Sequence, residues 1–99
     1  MSADDTVFED FTKLLKAVAD PSRRGILMLL RHKGELSVND IASAINLSQP
    51  LTSQHLRILK ETRAVVSRKE GQQVYYKLTS IRVCDALNEF LQIYKKELE

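Results

Sequence analysis

Two predicted helix starts lie eleven residues apart in the middle of this 99-residue chain, and they restrict its fold more than any other feature. Ser37 precedes an apolar-periodic segment and is answered by Asp40 three residues later, in the manner of a capping box. Ser48 opens the next segment, which carries Pro50 in its first turn, where proline is tolerated. The dipeptide Asn-Leu lies between the two segments. Two helices joined by so short a turn predict a helix-turn-helix over residues 37–61.

The same reasoning predicts further elements on both sides of this pair. Apolar residues at three- and four-residue steps indicate a helix over residues 7–19, followed by a second helix that Asp20 caps and Gly34 ends. After the helix-turn-helix the apolar period falls to two residues, and two β-branched and aromatic runs surround a Glu-Gly-Gln turn. This pattern predicts a hairpin over residues 64–78. A last helix is predicted over residues 80–98.

The composition fits one domain over residues 1–99 that is mainly α-helical with a small β-hairpin, a winged helix-turn-helix. Hydrophobic residues make up 43% of the chain, which excludes disorder for most of it, and only residues 1–6 are expected to be disordered. No run of about 18 apolar residues is present, so no membrane span is predicted. The acidic N-terminus lacks the features of a signal peptide, and the single cysteine, Cys84, suits a reducing compartment. Both observations favour a cytoplasmic protein.

The helix predicted over residues 49–60 has an atypical polar side. Its inner side is expected to consist of Leu51, Leu56, Ile58 and Leu59. Most amphipathic helices place Lys and Glu on the solvent side, but this helix uses short amides, hydroxyls and an imidazole. Groups of this length and type read base edges in the DNA major groove. The predicted base-reading residues are Gln49, Ser53, Gln54 and His55.

Positive charge gathers on the segment that contains this helix. Residues 1–20 carry two lysines and five acidic residues, whereas residues 48–78 carry six Lys and Arg against two Glu. This distribution is the footprint expected where DNA phosphates bind. The predicted phosphate contacts are Ser48, Thr52, Arg57 and Lys60. The residues of the hairpin, or wing, that are expected to contact the DNA backbone or minor groove are Arg68, Lys69, Gln72 and Gln73.

Four sequence blocks resemble the ArsR/SmtB family of bacterial repressors. The blocks read AVADPSRR (17–24), ELSVNDIA (35–42), LSQPLTSQHL (47–56) and RKEGQQVYYKL (68–78). The similarity spans roughly Leu14 to Leu78, two thirds of the chain. It implies a winged helix fold, a homodimer and binding to double-stranded operator DNA. Arg63 departs from the pattern, because the family often has Gly at this place, and the turn after the recognition helix is therefore expected to be built differently.

The last predicted helix is apolar around more than half of its circumference, which is more than a small domain covers by itself. Dimerisation through this helix, with help from the first helix, is the simplest way to bury it. The alternative is that the helix lies deep across its own core. The predicted dimer contacts are Phe8, Phe11, Leu87, Phe90, Leu91 and Tyr94.

Members of this family that sense metals hold them at defined places, and none of these places has a complete ligand set here. The Cys-x-Cys pair of the third-helix site falls on Ser37 and Asn39, which offer no thiolate. Sites on the last helix need Asp, His or Glu, which the matching stretches 80–82 and 92–95 lack. No metal and no cofactor is therefore expected, an unfamiliar site shared by two copies stays open, and the effector is unknown. A thiol response through Cys84 is an alternative to simple packing of that residue.

Two other classes of function have less support. An enzyme needs a nucleophile with its base, paired carboxylates or a metal in a pocket, and the two histidines, His32 and His55, lie on different predicted helices. A winged helix that binds protein instead of DNA is favoured by an acidic or apolar recognition face, whereas this face is polar and flanked by cations. The chain is therefore interpreted as a transcriptional regulator and not as an enzyme, with repression implied by the family resemblance.

Overall fold

The computed structural model describes residues 3–79, 91–93 and 95, with side chains from residue 9 onward. The described part is mainly helical and carries one small antiparallel sheet, which confirms the predicted fold class. Its helices are α1 (Ala3–Val18), α2 (Pro21–Lys33), α3 (Val38–Ile45) and α4 (Gln49–Glu61), and its strands are β1 (Leu36–Ser37), β2 (Val65–Glu70) and β3 (Gln73–Leu78). Residues 91–93 and 95 are helical, and the rest of the last helix predicted over residues 80–98 lies outside the described residues.

The predicted helix starts are confirmed at α2, α3 and α4. The Asp20 carboxylate accepts a hydrogen bond from the Arg23 backbone N–H at 3.0 Å. The hydroxyls of Ser37 and Ser48 accept the equivalent bonds, at 3.1 and 3.2 Å, from the N–H three residues further on. Each bond satisfies one of the N–H groups that a helix leaves unpaired in its first turn. Gly34 caps the C-terminus of α2 at φ 79°, also as predicted.

The first helix begins earlier than predicted. Because α1 begins at Ala3, residues 3–6 are helical and the prediction that they are disordered is wrong. The apolar periodicity, which starts at Val7, contains no signal for a polar first turn.

Both turns that bound α4 contain a residue in the left-handed conformation. Asn46, between α3 and α4, has φ 58°, and Arg63, after α4, has φ 65°. The Arg63 N–H donates to Lys60 O at 3.0 Å and the Ala64 N–H donates to Leu59 O at 3.1 Å, which is the bond pair of a Schellman motif. The turn is therefore of the type that glycine favours, contrary to the expectation of a different turn. Arginine occupies it at a cost of about 1–2 kcal/mol.

The core lies where α2, α3, α4 and β2 meet. Its largest buried apolar side chains are Ile26, Leu30, Ile41, Leu56, Leu59 and Val65. Leu56 and Leu59 face inward as predicted, but Leu51 is 39% exposed, so its predicted place in the core is wrong. Each residue of an α-helix turns through about 100°, which places Leu51 about 140° around α4 from Leu56. Thr52, four residues before Leu56, takes the inward position instead and is 0% exposed.

The predicted hairpin is formed by β2 and β3, which are joined by Gly71 and Gln72, with Gly71 at φ 62°. The sequence does not predict β1, which pairs antiparallel with β3, because two residues are too short to show an alternating pattern. The strand order is β1-β3-β2. Alternation along β3 packs Val74 and Tyr76 against the core and turns Tyr75 to the opposite face. The wing is thereby held on the helices, as a two-stranded hairpin requires.

Candidate nucleic-acid interface

One side of α4 presents polar side chains to solvent. Gln49, Gln54 and Arg57 are exposed, and Ser53 is half-buried at the edge of the same surface. We call these four residues the polar face of α4. Within the part of the chain that the structure describes, their side chains make no hydrogen bond and no ion pair. Their amide, hydroxyl and guanidinium groups are therefore available to a ligand.

Two further predicted phosphate contacts lie at the ends of α4. Ser48 is exposed, and its hydroxyl oxygen accepts the capping hydrogen bond, so its O–H can still donate outward. Lys60 is exposed in the last turn and donates from Nζ to the Ser67 hydroxyl of β2 at 2.7 Å. This bond joins α4 to the wing. An ammonium group has three donors, so Lys60 keeps two for another acceptor.

Thr52 does not have the geometry for its predicted phosphate contact. Its side chain is 0% exposed, and its hydroxyl donates to the Ser48 carbonyl oxygen at 2.8 Å. Thr52 is buried because it lies four positions before Leu56 and therefore faces the same inner side of α4. Thr52 is therefore part of the packed interior, and the prediction that it contacts phosphate is corrected.

His55 lies at the junction of α4 with the start of α2 and not on the polar face of α4. Its side chain is 13% exposed, and Nδ1 lies 3.4 Å from Arg23 Nη1 and 4.0 Å from Asp20 Oδ2. The Arg23 backbone N–H lowers the pKa of Asp20 by hydrogen bonding, and the positive charge of the Arg23 guanidinium lowers it further. The predicted base contact of His55 is therefore corrected, because this ring packs between two helices.

In the wing, Arg68 is held by acidic residues of its own chain. Its Nε and Nη2 donate to Glu35 Oε1 at 2.9 and 2.7 Å, and its Nη1 donates to Glu70 Oε2 at 2.8 Å. The guanidinium also lies 4.6 Å from the centre of the Tyr75 ring. The hydrogen bond from Arg68 lowers the pKa of Glu35, and the bonds to Glu35 and Glu70 raise the pKa of Arg68. Three of the five guanidinium N–H groups of Arg68 therefore already have partners inside the protein, and the DNA contact of Arg68 stays a prediction.

The other predicted wing residues remain accessible. Lys69, Gln72 and Gln73 are exposed, and none of them has a side-chain partner among the described residues. The sequence does not identify Glu35 as part of this site. It lies 33 positions before Arg68, so no local pattern connects the two residues.

The predicted dimer contacts fall largely outside the described side chains. Phe11 is half-buried and Leu91 is 44% exposed, whereas Phe8, Leu87, Phe90 and Tyr94 lie outside the side chains described, as does Cys84. Within the described ranges, no group of three His, Cys, Asp or Glu could hold a metal ion. No helix in this part of the chain is long and apolar enough to cross a membrane.

The order of elements and the surfaces they expose define a class of protein. A short capped helix and a short turn precede a second helix with an exposed polar face, and a hairpin with an exposed lysine follows. This arrangement is that of the winged helix-turn-helix proteins, in which the second helix enters the DNA major groove.

Known proteins identify the family within this class. The model of bacterial regulatory proteins of the arsR family matches residues 20–66. The transcriptional repressor SdpR of Bacillus subtilis is 39% identical over 84% of this chain and 91% of that protein. The transcriptional activator HlyU of Vibrio cholerae is 46% identical over 71% of this chain and 64% of that protein. The chain belongs to the ArsR family, and it is a winged helix-turn-helix transcriptional regulator.

A solved structure agrees with this assignment. The solution structure of the homodimeric winged helix-turn-helix DNA-binding domain of Mb0332 from Mycobacterium bovis superposes with a TM-score of 0.74. Its sequence is 27% identical, and the match covers 100% of this chain and 91% of the domain. The fold described for residues 3–79 is therefore that of a known DNA-binding domain.

Proposed function

We propose that this chain binds double-stranded operator DNA as a homodimer and thereby represses transcription. The observation that carries the proposal is the polar face of α4, whose side chains have no partner within the described residues. Such groups meet base edges without losing hydrogen bonds inside the protein. The N-terminal residues of a recognition helix are those that contact bases in helix-turn-helix proteins.

Three residues of this face are the proposed base readers. Gln49 and Gln54 each offer an amide, which can pair with adenine through two hydrogen bonds, and Ser53 offers a hydroxyl. Ser48, Arg57 and Lys60 are proposed to hold phosphates, which fixes the register of α4 on the duplex without reading sequence. This assignment leaves out Thr52, which is buried, and His55, which contacts α2.

The wing is proposed to contact the DNA backbone or the flanking minor groove. Lys69, Gln72 and Gln73 are its available polar groups. Arg68 supports them indirectly, since its bonds to Glu35 connect the middle of β2 to the residue before β1. The wing thereby keeps a defined position relative to β1, and the bond from Lys60 to Ser67 connects it to α4.

The homodimer is proposed to form through the first and last helices. The residues proposed for this contact are Phe8, Phe11, Leu87, Phe90, Leu91 and Tyr94. The 44% exposure of Leu91 in a single chain and the homodimeric state of the Mb0332 domain support it. Two recognition helices related by a twofold axis require a pseudo-palindromic operator, with half-site centres about 34–36 Å apart or a multiple of that distance.

Repression is the proposed outcome of operator binding. SdpR is named a repressor and HlyU an activator, and the similarity covers 91% of SdpR but 64% of HlyU. We expect the protein to act in the cytoplasm, where bacterial operator DNA is, and without enzymatic activity, metal or cofactor.

Selection of bound duplexes from a random library, followed by mobility-shift titration, tests the proposal. We expect enrichment of a pseudo-palindrome, two chains per duplex, and an affinity that falls steeply between 50 and 200 mM salt, by about 10³ or more if six or more phosphates are contacted. Enrichment of no sequence would contradict the proposal and favour a winged helix that binds protein. An affinity independent of salt would contradict the phosphate contacts.

A further inference from the structure

Leu51 is the one large apolar side chain of α4 that the fold leaves exposed. It is 39% exposed, whereas Leu56 and Leu59 on the same helix are fully buried. It lies in the first turn of α4, and its backbone N–H donates to the Ser48 cap. The backbone around Leu51 is therefore fixed, while its side chain has unburied apolar surface.

The surroundings of Leu51 distinguish it from an ordinary exposed leucine. Single apolar residues on a protein surface are common and need no explanation. Leu51, however, precedes Gln54 by three positions, and residues at this spacing are neighbours on a helix surface. Exposed Pro50 lies on the other side of Gln54. The amide proposed to read a base is thus flanked by apolar side chains in the half of α4 expected to enter the groove.

The chemistry of the major groove provides a matching apolar group. Among the four bases, only thymine presents a methyl group there, and apolar side chains recognise it by contact. A glutamine that pairs with adenine has thymines close by, either across the same base pair or on adjacent steps. Building on the DNA binding proposed for α4, we infer that Leu51 packs against a thymine methyl group. Leu51 and Gln54 together then select an A·T-containing step in each half-site.

Replacement of single thymines by deoxyuridine tests this inference, because it removes the methyl group and leaves base pairing unchanged. Each thymine of the selected pseudo-palindrome is replaced in turn, in both half-sites, and affinities are measured for the intact protein. We expect about a fourfold loss per half-site at one position, the effect of leaving one methyl-sized group unburied. At that position Leu51→Ala should bind thymine and deoxyuridine duplexes equally.

Two further variants serve as controls. Met28→Ala changes a side chain on α2 that is 50% exposed, and it should keep the full sensitivity to deoxyuridine. Leu51→Asn keeps the length and branching of the side chain and replaces its apolar end by an amide, so it should lose that sensitivity and gives a second test if Leu51→Ala lowers thermal stability.

The possible failures are distinguishable. The inference is overturned if the wild-type protein binds its selected operator but is insensitive to deoxyuridine at every position. It is also overturned if Leu51→Ala stays as sensitive as wild type. If no duplex is enriched at all, the proposed DNA binding fails, and the contact of Leu51 fails with it.

Discussion

The polar face of α4 and the wing hold their polar groups in opposite states. On α4, the side chains of Gln54 and Arg57 have no partner within the described residues. In the wing, Arg68 bonds to Glu35 and Glu70 through all three of its guanidinium nitrogens. Both regions are exposed and positively charged in sequence. The availability of a side chain for binding DNA therefore depends on the partners it already has as well as on its charge.

This contrast suggests a division of labour. In the proposed complex with DNA, the unpaired groups of α4 distinguish bases and Lys69 of the wing contacts the phosphate backbone, whereas Arg68 forms ion pairs within the protein. Substitutions on α4 should therefore change which sequence is bound, and substitutions in the wing should change how tightly any sequence is bound.

Gln54→Ala should have the largest effect on sequence preference. Loss of a bidentate amide contact should reduce discrimination at one A·T pair in each half-site by about 1–3 kcal/mol. Competition between duplexes that differ by one base pair measures this change. Asn39→Ala removes an exposed amide from α3, outside the proposed DNA contacts, and should leave every base preference intact. Equal weakening of all duplexes by Gln54→Ala would mean that this residue does not read a base.

Lys69→Gln should weaken binding to all sequences alike. Each lost phosphate contact should lower the slope of log affinity against log salt by about one per subunit. Titrations at several salt concentrations with specific and random duplexes measure this slope. Lys16→Gln, which removes an exposed lysine from α1, is the matched control. A loss confined to one base pair would contradict the role assigned to the wing.

Glu35→Gln should strengthen binding to random DNA. A neutral amide holds Arg68 less strongly than the carboxylate does, so the positive charge of Arg68 becomes more available to DNA and the salt slope should become steeper by up to about one per subunit. Glu9→Gln makes the same change of net charge on α1 and should have a smaller effect. If the two variants gain affinity equally, net charge accounts for the gain and the bond to Arg68 does not restrain the wing.

Low pH should weaken the ion pair between Glu35 and Arg68 and thereby the attachment of the wing. Because Arg68 lowers the pKa of Glu35 in the folded protein, the pair stabilises the fold fully above the unfolded pKa of glutamate, about 4.3. This stabilisation is lost as the pH falls through the lower folded pKa. Thermal melting between pH 6 and pH 3 should show a smaller acid-induced fall for Glu35→Gln than for wild type. Identical pH profiles would indicate that the pair contributes nothing to stability.

Thr52→Val should have the smallest effect on DNA binding. The residue is buried, so an isosteric loss of its hydroxyl should leave operator affinity unchanged and lower stability by about 1 kcal/mol for the lost hydrogen bond to Ser48. Chemical denaturation and mobility shifts on the same sample measure both quantities. A folded Thr52→Val protein with strongly reduced affinity would restore the phosphate contact predicted from sequence.

Local signals in the sequence predicted local structure well. The caps at Asp20, Ser37 and Ser48 lie within three residues of the N–H groups they bond, so a short window contains the whole interaction. The hairpin was equally predictable from its period of two and its glycine turn. By contrast, β1 is held by pairing with β3 about 40 residues later, and two residues alone carry no pattern.

The candidate site was predictable as a helix and a wing, but less so residue by residue. Leu51 and Thr52 are adjacent, and their apolar and polar characters suggest the reverse of their true orientation. The packing of Leu56 and Leu59 sets the rotation of α4 about its own axis. In so short an amphipathic pattern, a residue at the edge of the apolar side fits either the buried or the exposed surface. The pairing of Arg68 with Glu35 could not be predicted from a local pattern, because the two residues are distant in sequence and become neighbours only when the sheet forms.

The left-handed residues in the turns before and after α4 help to fix where this helix begins and ends. Asn46 and Arg63 close the turns on either side, and Leu56 and Leu59 anchor the inner surface, so neither the length nor the rotation of the helix depends on its outward side chains. The outward positions can then diverge without rebuilding the domain. Duplicated copies of such a gene could acquire separate operators by changing a few codons, and an engineer could redirect the protein in the same way.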